Sequence, residues 1–566
     1  MSLVNSLNIG RNALAVQQAA IQVTTNNIAN AGNPDYTRQT ASMSPGNDQQ
    51  IGPGLFLGSG VNLTSVNRQI DNALLARLRG ATSDEAGANA GQAWLSRVES
   101  VFNALGTNGL STQTSKFFNS WSQLAGNPQD AGLRQIVLTN GSTLARSVTD
   151  VRRQLSSLKS DIDDRIAAQA TSANDLTNRI ADLNGRITVA EGGLAGQANG
   201  LRDQRDGLIR QLSELVDVST TVDGNSLNVF VGSTPLVLGT TSRGVTVRQT
   251  TGPGGVETQL VLKEDGTTVI PAQGGELGGL IGARATATET TTKLDALAKG
   301  LIFEINKVHS SGQGLAGIST VSGTNSVQDA GARLDSAGAG LPFPVGNGSF
   351  VVTVTQRSTG LTTSKLIRVD LSAGASPPTS LNDLAAQLNG TDVSASVAGG
   401  QLTIRAGSPD VTLSFSDDSS GALAALGINT FFTGTNASNI AVNGFVSSDP
   451  SRLAAAKNGS PGDNQTARAI AALDMVAVGA LKGQTMRQGY DTLVSGLAAS
   501  TAASKTVAAG TSVVLQTLQG QREALSGVSL DEESINLIKQ QRAFEGAARI
   551  ISTVDEMLQT ILALVR

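Results

Sequence analysis

The sequence predicts a multidomain α+β chain: paired terminal coiled-coil helices, a discontinuous helical-bundle domain and two outer β-rich inserts. Three observations point to it. Both ends carry apolar residues seven apart, the chain alternates in short β-like runs over 217–275 and 318–445, and helical spacing returns after each of those blocks. The 566 residues hold three or four domains at about 100–200 residues each. A hydrophobic content of 39% suffices for folded cores, while 3% aromatics and 64 glycines suit Ala-rich helices and turn-rich β-domains better than a dense enzyme core.

Residues 2–31 read as one helix. Leu7, Leu14, Ile21 and Ile28 recur every seven residues, with Leu3 extending the stripe, and Ile9, Ala13, Val16, Ala20 and Val23 form a second. Gly32 and Pro34 end the helix, a glycine past the last turn followed by a residue that cannot continue it. The C-terminus repeats the design. Leu530, Leu537, Phe544, Ile551, Leu558 and Val565 are seven apart, and Ala547, Ile550, Val554, Met557, Ile561 and Leu564 form the second stripe. Ser529 with Glu532 reads as a capping box, and Asp531 and Glu533 add negative charge at the positive end of the helix dipole.

Two stripes exceed what a helical hairpin covers. Pairing through one stripe leaves five or six apolar side chains per helix facing outward, worth on the order of 10 kcal/mol at roughly 1.5–3 kcal/mol for each large side chain buried. Heptads sustained this long favour a coiled-coil seam, although two helices packed on their own domain share the pattern.

Residues 65–125 read as helical with breaks, 145–190 as a long helix, and Leu201, Leu208, Leu212 and Leu215 as a shorter one. The 217–275 insert has β-like runs at Ser226–Val231 and Gly244–Val247, punctuated by Gly-Pro-Gly-Gly at 252–255. Helix returns at 289–309. The 318–445 insert predicts strands at Phe350–Thr355, Leu366–Leu371, Gln401–Ile404 and Val411–Phe415, with a helix at Leu381–Leu388; a last helical stretch runs over 463–526. The expected layout is therefore nested: 1–40 with 527–566, then 41–216 with 276–317 and 446–526, then the two inserts. Such nesting places both termini at one end of an elongated molecule.

A net charge of −4 without a basic stripe argues against nucleic acid, and no stretch of about 18 apolar residues argues for membrane insertion. There is no cysteine, so disulfides and thiolate metal sites are excluded. Met1–Ile21 lacks the charged and apolar regions of a Sec signal peptide, so the expectation is a Sec-independent export route or a cytosolic home.

Chemistry finds little footing. The only histidine is His309, near a predicted helix end, and no G-x-S-x-G supports a triad around it. Glycines 274, 275, 278, 279 and 282 fit neither a dinucleotide fingerprint nor a P-loop and read as a turn. Asp161, Asp163 and Asp164 read as a solvent-facing helix surface, and Asp417 and Asp418 as a helix cap without calcium-loop spacing. The expectation is a non-enzyme with no cofactor and no metal.

The run Asn26-Asn27-Ile28-Ala29-Asn30-Ala31-Gly32-Asn33-Pro34-Asp35-Tyr36-Thr37-Arg38-Gln39 resembles the N-terminal signature of bacterial flagellar axial proteins, the rod, hook and hook-associated family. Asp35 stands where that family usually has glycine. The run from Gly527 to Met557, with Asp531, Glu532, Glu533, Asn536, Leu537, Gln540, Ala543, Arg549, Asp555 and Glu556, resembles the hook-associated branch at the hook–filament junction. Leu201-Arg202-Asp203-Gln204-Arg205-Asp206, Gly278-Gly279-Leu280 and Asn306–Gly312 agree with it.

The resemblance implies a structural subunit exported through the flagellar type III channel. The partners it implies are copies of itself in a ring, hook protein on one side, the next junction protein on the other, and an export chaperone on the C-terminal helix before secretion. It also implies that the terminal stripes are the assembly interface. Two other readings remain open: another axial subunit of the hook-protein type, and an extracellular adhesin using the 318–445 block.

Overall fold

The computed structural model describes residues 3–103, 109–192, 197–252, 255–372, 374, 378–460 and 462–564. Val565, Pro253 and Gly254 of the readings above lie outside them. Helix α1 (Leu3–Ala29) leads to an antiparallel arm, β1 (Gln39–Pro45), β2 (Gln49–Gly52), β3 (Leu55–Leu57) and β4 (Val61–Arg68). Four helices follow: α2 (Asn72–Asn103), α3 (Leu110–Gly126), α4 (Ala131–Glu191) and α5 (Asn199–Leu215). Next come β5 (Ser219–Asp223), β6 (Ser226–Val231), β7 (Thr234–Leu238), β8 (Thr241–Ser242), β9 (Val245–Gly252), β10 (Gly255–Leu262) and α6 (Gly275–Ser310). The second β block holds β11 (Thr320–Ser322), β12 (Gly348–Gln356), β13 (Thr362–Val369), α7 (Leu381–Leu388), β14 (Val393–Ala398), β15 (Gln401–Ala406) and β16 (Val411–Ser416). The chain ends through α8 (Ala422–Leu426), β17 (Phe432–Thr433), β18 (Ala441–Val442), α9 (Gly444–Ser447), α10 (Gln465–Ala472), α11 (Met486–Ser526) and α12 (Leu530–Leu564).

Two compact units result. The first comprises Met1–Trp94, Ile162–Arg284 and Ala502–Arg566, the second Leu95–Asp161 and Ala285–Thr501. In the first, the order β5-β6-β7-β8 makes a meander beside the β9/β10 hairpin. Their inward residues Leu227, Val229, Val231, Leu236, Leu260 and Leu262 share a core with Ile166, Ile180, Leu208 and Leu212 from the helices. In the second, three-stranded sheets β13-β12-β16 and β11-β15-β14 contribute Phe350, Val352, Ile367, Leu402, Ile404, Leu413 and Phe415 to one core. That core continues through Phe117, Trp121, Leu144, Val151 and Leu155 of α3 and α4.

Several elements depart from the sequence reading, each for a physical reason. Residues 65–68 are strand rather than helix, and the whole arm over 39–68 escaped it, because β1 has no buried residue and so no apolar alternation. Helix α4 begins at Ala131, where the Asp130 carboxylate accepts the Leu133 amide at 2.9 Å, and its 61 residues stop at Gly192 with φ 54°. The 463–526 stretch is two helices separated around Lys482 and Gly483, both at positive φ. Glycines 278, 279 and 282 lie inside α6 rather than in a turn. A Cβ on Gly279 would sit 2.1 Å from the Gly87 carbonyl oxygen, so Gly279 lets α6 and α2 pack backbone to backbone, whereas a Cβ on Gly278 would meet Gln273 and one on Gly282 would meet open space. Asp163 is an ion-pair partner of Arg284 (Nη2 to Oδ2, 3.1 Å) and accepts from Thr258 at 2.6 Å, not a solvent charge. Asp418 does cap α8, accepting the Ser420, Gly421 and Leu423 amides at 2.9 Å each.

Candidate functional site

His309 is the obvious chemical candidate, and its surroundings make it structural. It is fully buried at the end of α6. Among the described residues the partner of Nδ1 is a carbonyl oxygen, so Nδ1–H donates to Asn429 at 2.8 Å, and Nε2 accepts the Ala454 amide at 3.1 Å. Both ring nitrogens are thus consumed in joining two turns. Burial pushes its pKa down to about 4, since the neutral ring alone suits this arrangement. The unfolded chain, with a value of 6.5, therefore binds the proton first. The contribution to stability is complete above pH 6.5 and falls as pH drops towards about 4, by about 3 kcal/mol at most. Urea midpoints read from Trp121 fluorescence at pH 7.5 and 4.5 should show that slope, and His309→Asn should flatten it. Among the described residues no group of His, Asp and Glu is placed to hold a metal ion.

The terminal helices supply the alternative. Helix α12 packs along α1. On α1 the buried positions are Gly10, Val16, Ala20, Thr24 and Asn27, a stripe of small or polar residues; on α12 they are Glu533, Ala547 and Val554. Gly10 permits the approach, because a Cβ there would lie 2.8 Å from Ile551 Cγ1. Thr24 Oγ1 donates to Gln540 Oε1 at 3.0 Å across the seam. Leu537, Ile551 and Leu558 are half-buried along the same face. Leu530, Phe544, Ile550, Met557 and Ile561 are exposed, and Leu564 is 79% exposed. The α1 stripe of Leu3, Leu7, Leu14, Ile21 and Ile28, with Ile9 and Val23, is half-buried throughout. The exposed apolar surface therefore belongs mainly to α12.

One end of the pair is locked by a polar clasp built from the motif residues. After α1 the chain turns at Asn33-Pro34-Asp35-Tyr36, where the Tyr36 amide donates to the Asn33 carbonyl at 3.2 Å and Asn33 Oδ1 accepts the Asp35 amide at 3.1 Å. Pro34 supplies the φ that the second position of such a turn requires. The turn delivers Tyr36, Arg38 and Gln39 back against Asn27. The Asn27 amide nitrogen donates to the Gln39 carbonyl and to Glu533 Oε2, both at 2.9 Å, and its Oδ1 accepts from the Tyr36 hydroxyl (2.7 Å) and the Gln39 amide (3.0 Å). Its hydrogen-bonding capacity is thereby filled in a site 2% exposed. Arg38 bridges Glu533 (Nη2 to Oε1, 2.7 Å) and Glu532 (Nη1 to Oε2, 2.8 Å), while its amide donates to the Ser526 carbonyl at 3.1 Å. Burial, with Asp203 and Glu533 nearby, pushes the Tyr36 hydroxyl up to about 12, so it remains a donor.

A second layer anchors the clasp to α5. Asp203 accepts from Arg68 (2.9 Å) and the Thr37 amide (3.4 Å), and Asp206 accepts from Arg68 at 2.7 Å. Asp35 faces Arg210 Nη2 at 3.0 Å and lies over Gly207, whose missing side chain leaves room for it. The aspartate in the family's glycine position thus has a negative φ and an ion pair.

The structure brings Asn26, Asn27, Tyr36, Arg38 and Glu532 of the motif together. Asn26 Nδ2 donates to the Tyr36 hydroxyl at 3.3 Å, Asn30 turns back to the Asn26 carbonyl at 2.9 Å, and the Pro34 carbonyl accepts from Arg522 at 2.7 Å. Asp531 and Glu556 are exposed, and Asp555 accepts only locally, from Gln559 at 2.9 Å. The capping box is half made: Ser529 Oγ accepts the Glu532 amide at 3.4 Å, but Glu532 turns to Arg38. Glu533, Thr24, Gln540 and Asp203 were missed as interface residues. For Glu533 the signal was available, since it lies four residues before Leu537 on the seam side of α12.

Comparison with known proteins follows the same parts. Residues 95–325 match the family model described as the flagellar hook-associated protein FlgK helical domain, and residues 521–564 match that of the flagellar basal body rod FlgEFG protein C-terminal. The chain is 27% identical over 582 residues to flagellar hook-associated protein 1 of Escherichia coli K12, covering 99% of both chains. It is 26% identical over 575 residues to that of Salmonella typhimurium, again covering 99% of both. Among solved structures it resembles the flagellar hook junction protein FlgK from Burkholderia pseudomallei, with a TM-score of 0.50 and 17% identity, covering 80% of this chain and 100% of that one.

Proposed function

We propose that this chain, which belongs to the flagellar hook-associated protein 1 (FlgK) family of structural, non-enzymatic flagellar proteins, joins hook to filament as a ring-forming subunit. The observation that carries the reading is the terminal pair. One end is fixed by the Asn27–Arg38–Glu533 clasp, while α12 leaves Ile550, Met557, Ile561 and Leu564 between 46% and 79% exposed. Apolar residues at this spacing stabilise by burial only when another helix covers them. In the assembled ring that cover comes from neighbouring copies, and the hook protein and the next junction protein flank the ring. Before export the same face is the seat for a chaperone on α12. Among the described residues no helix is long and apolar enough to cross a membrane, and export runs through the flagellar type III channel. The β-rich segments 217–275 and 318–445 are the outer parts of the subunit. Deleting the gene tests the role: cells should carry hooks without filaments and lose flagellin to the medium. Normal filaments on such cells would refute it.

A further inference from the structure

An open groove of the first unit has three walls, each about twelve residues long: Ala19 to Asn30, along the last turns of α1 and the residue after it, Arg179–Ala190 of α4 and Gly200–Gln211 of α5. Leu183, Leu201, Leu208 and Val23 give it an apolar floor, and Gln22, Gln211, Arg179, Asp182 and Arg186 stand at the rim. We infer that this groove receives the exposed stripe of α12 from a second copy of the chain. The inference rests on the self-assembly reading above and names its contact surface.

Three observations carry it. First, size: the groove measures 1410 Å³. Each wall of about twelve residues runs about 16 Å at about 1.5 Å per residue. Ile550 to Ile561 spans about 16 Å at about 1.5 Å per residue. Second, continuity: α1 meets its own α12 through Val16, Ala20 and Asn27, and Ala19, Val23, Asn26 and Asn30, on the adjoining face, wall the groove. A helix seated there would lie against α1 beside the existing pair. Third, charge: Glu556 and Arg549 flank the Ile550–Met557–Ile561 stripe, and Arg179, Arg186 and Asp182 rim the groove. Groove on one copy and stripe on the next form a head-to-tail contact, the kind that closes into a ring when the rotation allows.

The test places a photoreactive amino acid at Gln22 or Gln211 in the full chain and irradiates intact flagella. The expected product has twice the 57.7 kDa chain mass and maps to residues 543–564 of the second copy. A double-mass product mapping elsewhere overturns the groove assignment and leaves self-assembly standing. A product with a different protein, or none, also overturns the assignment. A second probe at Met557 separates the two readings: if neither position yields a double-mass product, the self-assembly reading fails as well.

Discussion

Replacing Glu533 with alanine should abolish swimming while leaving the second unit folded. Glu533 is 2% exposed and accepts from both Arg38 and Asn27. Its removal leaves a partly buried guanidinium with only Glu532, which is largely exposed, and strips the Asn27 amide of an acceptor. Breaking a buried pair in this way costs about 3 kcal/mol or more. The α1–α12 seam has little else to offset it, since its other buried members are small or polar, with no side chain larger than valine apart from Asn27: Gly10, Val16, Ala20 and Thr24 on α1, Ala547 and Val554 on α12. Glu533→Gln keeps one acceptor oxygen but removes the charge and sets an NH2 donor against either Arg38 or the Asn27 side chain, so it should lose nearly as much. Swimming zones and hydrogen exchange across α1 and α12 read the effect; an alanine variant that swims normally would remove the clasp from the account.

Arg134→Leu should be the most damaging single change in the second unit, lowering its stability by about 3–5 kcal/mol. Arg134 is 2% exposed in the first turn of α4 and spends its guanidinium on carbonyls. Nε and Nη2 donate to Pro128 at 2.9 and 2.6 Å, and Nη1 donates to Leu453 at 2.6 Å. Leucine fills part of the volume but leaves two buried carbonyls without donors, each costing about 1–3 kcal/mol. The urea midpoint read from Trp121, in a Trp94→Phe background, checks this. Exchange rates in α12 should not move, because the clasp lies in the first unit.

Much of the fold could be read where apolar spacing is strong. The β12, β15 and β16 strands, α7 and the terminal helices follow from periodicity because each buries one regular face. The β1–β4 arm could not be read that way, since its residues are half-exposed or exposed and its pairing rests on the backbone ladder and on bonds between polar side chains, Thr64 to Ser44 and Asn67 to Ser42. The glycines of α6 misled for a different reason. Close helix crossing and a turn demand the same residue, and only the Gly87–Gly279 approach distinguishes them. At the candidate site the motif residues were legible as a group but not their division of labour. Heptad spacing drew attention to large residues, whereas the buried seam of α1 is Gly10, Val16, Ala20, Thr24 and Asn27. A buried carboxylate such as Glu533 looks, in sequence, like one more acidic residue favoured at a helix N-terminus.

The central claim is that the chain assembles through its ends, and hydrogen exchange on the monomer and on intact flagella tests it most directly. In the monomer, amides near the clasp, about Thr24–Gln39 and Glu533–Gln540, should be partly protected. Residues 541–564 should exchange close to unfolded rates, because a helix with one face uncovered is marginal alone. In flagella both stretches should become strongly protected while β12 and α3 stay as they were. Equal protection of 541–564 in monomer and flagella would contradict the claim.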